Sequence, residues 1–330
     1  MNILMVCQSG GAIGLGHLSR IFNLASELHQ NFDVELELLI QGAQIQGGRL
    51  SSLRHGFIKP SDSLLEKLTE KVEIDAVDVM VFDLHPSFIP SGFFSLLKQM
   101  HLQGIKLVAI DCFSYFDCWD FVHIPTCHVD SLKLNTINFP AYYGWNSYLL
   151  PQVKQARVWK PGHKVLVLTG GSDVAHLGRT LPSQLDVNLK IGTEIHWVKG
   201  PYAEAPILPE QLRFSWVIHD APSDLSDLMG EMNYAMTLFG VSFFELLQQG
   251  IPTVVFSPYE NNDDELAAIA KEQVSVVARD QLEAVQALKL LMEDVAKAQL
   301  ISECATQKLK ISGAALLAQR IYELKNVLVN

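Results

Sequence analysis

Short apolar runs alternate with longer segments of helical period along almost all of this chain, and the alternation stops once and then restarts. Residues 2–7, 34–40, 77–82 and 106–110 read as strands. Between them, 18–28, 64–71 and 93–102 have the spacing of helices, with Ile21, Leu24, Ala25 and Leu28 on one face of the first. Brief runs without polar alternation suit strands buried on both faces, so crossover helices and a parallel sheet follow. The pattern weakens over 131–161, where Pro140, Pro151 and Pro161 stand among Tyr142, Tyr143, Trp145, Tyr148 and Trp159. That stretch reads as an interdomain connection. Strands then resume at 164–168, 194–199, 214–218, 234–238 and 253–256, with helices at 242–249, 265–271, 282–298 and 314–325. The expected fold class is α/β, two Rossmann-like doubly wound domains in tandem. Their expected bounds are 1–150 and 151–312, with 313–330 a helix crossing back to the first domain. Ligands of such sheets lie beyond the carboxyl ends of the strands, and two facing domains make a cleft. No internal repeat or low-complexity tract is visible.

A length of 330 residues suits two cores better than one, and 48% hydrophobic with 18% charged residues is a globular balance. The net charge of −11 excludes a nucleic-acid backbone as partner, because the two would repel. A nucleotide remains an acceptable ligand, since helix N-termini bind phosphate without Lys or Arg. The first apolar run has no basic start and ends at Ser9-Gly10-Gly11, so no signal peptide is expected. No run of about 20 apolar residues predicts a transmembrane helix. Gly92-Phe93-Phe94-Ser95-Leu96-Leu97 offers peripheral membrane contact, but its period also fits a core-facing helix, the reading preferred here. Five cysteines without a C-x-x-C pair read as reduced thiols of a cytoplasmic protein. Cys118, His123, Cys127 and His128 lie close together, yet their spacing matches no usual zinc pattern, and no metal is expected.

The first strand runs into Ser9-Gly10-Gly11-Ala12-Ile13-Gly14-Leu15-Gly16-His17. Glycines let the backbone approach a ligand, and the helix that follows opens with free N–H groups and a positive dipole end. His17 falls at the mouth of that turn, either as a cleft-facing base or as an ordinary helix-start histidine. A dinucleotide site fails twice. Gly14 and Gly16 begin its fingerprint, but Ser19 holds the third glycine position, and the second strand ends Ile40-Gln41-Gly42 without a ribose-binding acid. The second half offers three loops, each after a strand: Thr169-Gly170-Gly171-Ser172-Asp173, Phe239-Gly240-Val241-Ser242, and Ser257-Pro258-Tyr259-Glu260-Asn261. Gly240, Val241 and Ser242 open a helix, which suits a diphosphate, and Glu245 one turn later can take two ribose hydroxyls. Alone, Gly170-Gly171 would be a plain turn and Glu245 a solvated helix residue. Three such loops at strand ends in one domain point to a site.

Taken together, Gly14-Leu15-Gly16-His17-Leu18-Ser19-Arg20, Gly170-Gly171-Ser172-Asp173, Gly240-Val241-Ser242 with Glu245, and Glu260-Asn261 resemble the motifs of the UDP-sugar hydrolases of the pseudaminic acid pathway. Those hydrolases are cousins of the peptidoglycan N-acetylglucosaminyltransferase, of glycosyltransferase-B fold. Val81-Phe82-Asp83, Ala109-Ile110-Asp111, Tyr143-Gly144 through Tyr148-Leu149-Leu150, and Gly313-Ala314 with Arg320 are similar too. The resemblance implies that the C-terminal domain grips a uridine nucleotide and that His17 is general base on an attacking water. It implies Gly14, Gly16, Gly170, Gly171, Ser172, Gly240, Val241, Ser242 and Asn261 at the diphosphate and Glu245 at the ribose. It puts Arg20, Asp83, His85, Asp111 and Glu260 on the sugar side. It implies no metal or cofactor beyond the nucleotide-sugar substrate. The chain departs from the family at Cys112, where a second Asp is usual, at His85 in place of Tyr, and at Val241 in place of Gly. A glycosyltransferase that uses an acceptor hydroxyl instead of water needs the same residues. An inactive nucleotide-sugar binder would not need His17.

Overall fold

The computed structural model describes residues 1–11, 13–42, 50–111, 117–128, 140–152, 158–222 and 224–326. The chain divides into two compact units, one made of Met1–Gln152 and the chain from Ile311 onward, the other of Val153–Lys310.

Among the described residues of the first unit, a seven-stranded parallel sheet runs in the order β3-β2-β1-β4-β5-β6-β7. The strands are β1 (Asn2–Ser9), β2 (Glu35–Gly42), β3 (Arg54–Ile58), β4 (Val79–Asp83), β5 (Lys106–Ile110), β6 (Phe121–His123) and β7 (Ala141–Tyr142). Helices α1 (Gly16–Asn31), α2 (Leu64–Ile74) and α3 (Phe93–Leu102) connect the early strands. On one face of the sheet, Met5, Val81 and Ile110 pack with Ile21, Leu24 and Leu28 of α1; on the other, Val6, Phe82 and Ala109 pack with Phe93, Leu97 and Met100 of α3. The 92–97 segment thus sends Phe93 and Leu97 inward. No helix among the described residues is long and apolar enough to cross a membrane.

The second unit repeats the plan, with its described strands in the order β10-β9-β8-β11-β12-β13. They are β8 (Lys164–Leu168), β9 (Glu194–Lys199), β10 (Ser215–Asp220), β11 (Tyr234–Leu238), β12 (Thr253–Phe256) and β13 (Val276–Val277). The helices are α4 (Leu181–Asn188), α5 (Ser226–Glu231), α6 (Val241–Gln248), α7 (Asp263–Lys271), α8 (Gln281–Glu293) and α9 (Val295–Lys308). The tandem α/β architecture expected from the alternation is present. The stretch expected as one helix at 282–298 is two, because Asp294 ends α8 and its carboxylate accepts the Lys297 N–H at 2.9 Å to cap α9.

After α9 the chain returns to the first unit as α10 (Gly313–Asn326). Ala314, Leu317, Ala318 and Ile321 join the core beside α1, and the Tyr322 ring meets Phe32 at 4.9 Å. Leu317 and Ile321 are fully buried, which contributes roughly 1.5–3 kcal/mol each. The helix start is pinned: Ser312 Oγ donates to the Leu150 carbonyl at 2.8 Å, and a Cβ on Gly313 would meet the Tyr148 carbonyl oxygen at 2.6 Å.

The first loop of each unit is built in a similar way, which the sequence pattern concealed. β1 ends in Ser9 followed by Gly10-Gly11, and β8 is followed by Thr169-Gly170-Gly171. The second strand of each unit then delivers a glycine against that loop. A Cβ on Gly42 would lie 1.9 Å from Ser9 O, and one on Gly200 would lie 2.4 Å from the carbonyl oxygens of both Gly170 and Gly171. No side chain fits at either place, so Gly42 and Gly200 set how closely the loop lies on the sheet.

Candidate functional site

In both units the strand order reverses beside the first strand, at β1/β4 and at β8/β11. Loops diverge there and leave a crevice at the carboxyl ends. The residues expected to carry chemistry cluster at these two points.

In the first unit, Gly10 and Gly14 close the loop into a small bridge, with Gly14 N–H donating to the Gly10 carbonyl at 2.6 Å. α1 then starts at Gly16 with no side-chain cap and no acid in its first turn. His17 and Arg20, three residues apart, share one face of it. Asp83 ends β4, opposite Cys7 of β1, and Asp111 follows β5 with a left-handed backbone at φ 56. The sheet order therefore brings His17, Arg20, Asp83 and Asp111 together.

Asp83 is completely buried, and both carboxylate oxygens are hydrogen-bonded. His17 Nδ1 lies 2.6 Å from Oδ1, Arg20 Nη2 donates to Oδ1 at 2.7 Å, and Arg20 Nε donates to Oδ2 at 2.8 Å. An unpaired carboxylate at this depth would cost several kcal/mol. Burial pushes the Asp83 carboxyl upward, but the charges and hydrogen bonds of Arg20 and His17 outweigh burial and hold it below the usual carboxylate range. Asp83 is thus ionised and can only accept, which places the His17 proton on Nδ1. Arg20 Nη2 also approaches His17 Nδ1 to 3.0 Å, a close contact and not a donation, since both nitrogens carry hydrogen. His17 Nε2, which carries the lone pair whenever the imidazole is neutral with its proton on Nδ1, has no hydrogen-bond partner among the described residues, on a side chain 12% exposed.

These positions revise the roles expected from the sequence. Asp83 stands behind His17, closed to solvent, with its hydrogen bonds going to His17 and Arg20. Asp111 keeps 36% of its side chain exposed and gives Oδ2 to Arg20 Nη1 at 3.1 Å. Burial pushes its carboxyl up, Arg20 pulls it back and Asp83 adds to the rise; the net shift is upward. His85 stands edge-on to His17, ring centroids 6.0 Å apart, with its imidazole held below the ordinary range by burial and by His17, against Asp111. Cys112 lies outside the described residues.

Sequence reasoning missed a polar belt beside this cluster. Gln8, 2% exposed, accepts the His85 N–H at 2.9 Å and donates to Gln41 Oε1 at 3.0 Å. The signal was present: a lone Gln at the end of an otherwise apolar strand is a buried polar group that must have partners. His123, at the end of β6, is completely buried, and its Nε2 is bonded to the Ser147 carbonyl. No three His, Cys, Asp or Glu side chains among the described residues are grouped to hold a metal ion.

In the second unit the three loops follow β8, β11 and β12, which are adjacent. Gly170 and Gly171 lie against Gly200, and the Gly171 carbonyl accepts the Tyr202 N–H at 2.9 Å. Ser172 is half-buried beside them. Asp173 builds the turn: its carboxylate accepts the Leu177 and Gly178 N–H groups at 2.9 and 2.8 Å. Gly240 opens α6, which has no side-chain cap and no acid in its first turn. The amide groups of Val241 and Ser242 therefore head a bare helix start, and Glu245 is half-buried one turn in. The third loop differs. Glu260 and Asn261 lie in a short 3₁₀ turn (Glu260–Asn262) that leads into α7, whose first turn carries Asp263, Asp264 and Glu265. Those charges repel an anion, so of the two helix starts only that of α6 suits a diphosphate. Glu260 is exposed, and the Asn261 side chain lies outside what is described.

No family model matches the chain, and no curated protein matches it. Solved structures do. A Phytolacca americana UGT2 complexed with UDP-2fluoro-glucose and pterostilbene is 14% identical with a TM-score of 0.64, covering 98% of this chain and 99% of the other. MurG of Acinetobacter baumannii is 16% identical with a TM-score of 0.60, covering 98% and 100%. The spinosyn rhamnosyltransferase SpnG, complexed with thymidine diphosphate, is 13% identical with a TM-score of 0.60, covering 98% and 100%. The likeness spans both units from end to end, and the chain has the glycosyltransferase-B fold.

Proposed function

We propose that the protein is a glycosyltransferase that moves a sugar from a nucleoside-diphosphate donor, UDP by analogy, to an acceptor hydroxyl. The observation that carries this is the Asp83–His17 pair, which leaves the imidazole Nε2 lone pair free. Nε2 takes the acceptor proton as the acceptor oxygen bonds to the anomeric carbon. The bond from that carbon to the phosphate oxygen breaks, and the diphosphate leaves with the electron pair. Asp83 stabilises the imidazolium that forms. The uncapped start of α6 at Gly240, Val241 and Ser242 offers its N–H groups to the departing charge, so this route calls on no metal or cofactor. Gly170, Gly171, Ser172 and Asn261 belong to the diphosphate side, Glu245 takes the ribose, and Glu260 belongs to the sugar side. His85 and Asp111 are the first unit's candidate sugar ligands on this reading, with Gly14 and Gly16 shaping the His17 loop.

Hydrolysis, with water in place of the acceptor, is favoured by the motif set around His17, Gly170-Gly171 and Gly240. The solved structures of like fold favour transfer. Nucleotide release from a panel of UDP-sugars, with and without added acceptors, separates the two. Release that requires an acceptor supports transfer, and release at full rate in water alone overturns it.

A further inference from the structure

The family resemblance puts Arg20 on the sugar side, but its contacts give it other work. All three guanidinium nitrogens are engaged: Nε and Nη2 grip Asp83 at 2.8 and 2.7 Å, and Nη1 reaches Asp111 at 3.1 Å. The side chain is 13% exposed and makes no other hydrogen bond to a described side chain apart from its close contact with His17. Asp83 ends β4 and Asp111 follows the neighbouring β5, and two carboxylates so placed repel unless a cation lies between them. A planar fork held at both ends of one carboxylate also fixes the plane of that carboxylate. Here the fixed plane includes Oδ1, the atom that takes the His17 proton. Since Arg20 and His17 share one helix face, α1 itself sets the distance between clamp and base.

We infer that Arg20 is a positioning residue that clamps Asp83 and Asp111 into one rigid unit, keeps the His17 proton on Nδ1 and its lone pair on Nε2, and does not contact the sugar. The effect on turnover rests on His17 being the base; the effect on the imidazole does not. Asp111 Oδ1 has no partner among the described residues, so the same clamp presents one carboxylate oxygen to a hydroxyl or amide of the sugar.

The test is nitrogen-15 NMR of the histidine rings in nucleotide-free protein, at about pH 8.5, above the ordinary histidine range. The wild type is expected to give a His17 signal with a single protonated Nδ1. In Arg20→Gln and Arg20→Lys, that signal is expected to become an average of both tautomers, with kcat reduced about 10–100-fold and the donor KM nearly unchanged. Arg20→Lys keeps the charge without the fork and decides the matter if Arg20→Gln does not fold. An unchanged His17 signal in Arg20→Lys overturns the inference, as does a raised donor KM with kcat retained, which would make Arg20 a sugar ligand. A shifted signal in a protein that turns over no nucleotide sugar would sink the glycosyl reading and leave the clamp standing.

Discussion

Asp83 Oδ1 lies 2.6 Å from His17 Nδ1, and the carboxylate is closed to solvent while the imidazole is not. This pairing fixes the tautomer with Nε2 unprotonated, the form a general base needs. Asp83→Asn keeps the shape but replaces one acceptor oxygen by an N–H group, and wherever that group faces His17 the imidazole turns Nδ1 into an acceptor and moves its proton to Nε2. The comparable change in a serine protease triad costs about ten-thousandfold in kcat, and a fall of that order is expected here. His17→Ala is expected to lower turnover by about 10²- to 10⁴-fold. Both variants should bind UDP as the wild type does by calorimetry. Unchanged turnover in His17→Ala would remove the histidine from the mechanism.

The nucleotide half yields an independent prediction, because its binding does not depend on chemistry. Glu245→Ala is expected to keep the fold and weaken UDP binding by roughly 1.5–3 kcal/mol, the worth of hydrogen bonds to a charged group. Ser242→Glu places an acid in the first turn of α6, which has none. It should weaken UDP binding more than uridine binding, because only the diphosphate meets the new charge. Calorimetry with both ligands reads this directly, and equal losses would place the diphosphate elsewhere.

A steric prediction concerns the loops themselves. The Cβ of Gly200→Ala would lie 2.4 Å from two backbone oxygens, so the Gly170-Gly171 loop must move. A loss of roughly 1–3 kcal/mol in unfolding free energy is expected, as for overpacked sites, together with weaker UDP binding. Gly42→Ala, which presses on Ser9 in the first unit, should lower stability similarly and leave UDP affinity intact. Equal nucleotide affinity in both variants would separate the Gly170-Gly171 loop from the ligand.

The sequence made some of these features legible and hid others for physical reasons. Strands such as β1 and β8 are continuous apolar runs, and the glycines after them break the run sharply. β3 was missed because it is an exposed edge in which Arg54 and His55 face solvent, and β6 because three residues give no period. Helix α4 was missed because its buried Leu181 and Leu185 are mixed with polar residues and Pro182. In the first-unit cluster His17 was legible from the glycine loop that opens its helix, whereas Arg20, Asp83 and Asp111 entered only through the family resemblance. Their division of labour was not legible. An Asp after a strand reads the same whether it faces solvent or is sealed behind a histidine, and only burial assigns Asp83 to His17 and leaves Asp111 at the rim. Part of the expected connection at 131–161 falls outside the described residues.

Buried histidines give the last prediction. Burial holds the His123 imidazole down to about 4, with the Ser147 carbonyl opposing that shift, against an ordinary value of about 6.5. The folded protein therefore keeps His123 neutral where the unfolded chain would protonate it. Its contribution to stability is complete above about pH 6.5 and is lost as pH falls from there toward about 4. The loss amounts to roughly 3 kcal/mol at the lower end. His219 is also held below the ordinary range, by burial first and by His196 beside it, and works in the same direction. Asp83 acts later, since a depressed carboxyl loses its contribution only as pH falls below the ordinary carboxylate value. His123→Gln can still donate to the Ser147 carbonyl but cannot titrate. Thermal melts from pH 8 to pH 4.5 should show the wild-type Tm falling below about pH 6.5 and a clearly flatter profile in His123→Gln. Parallel profiles would mean that the acid sensitivity arises elsewhere.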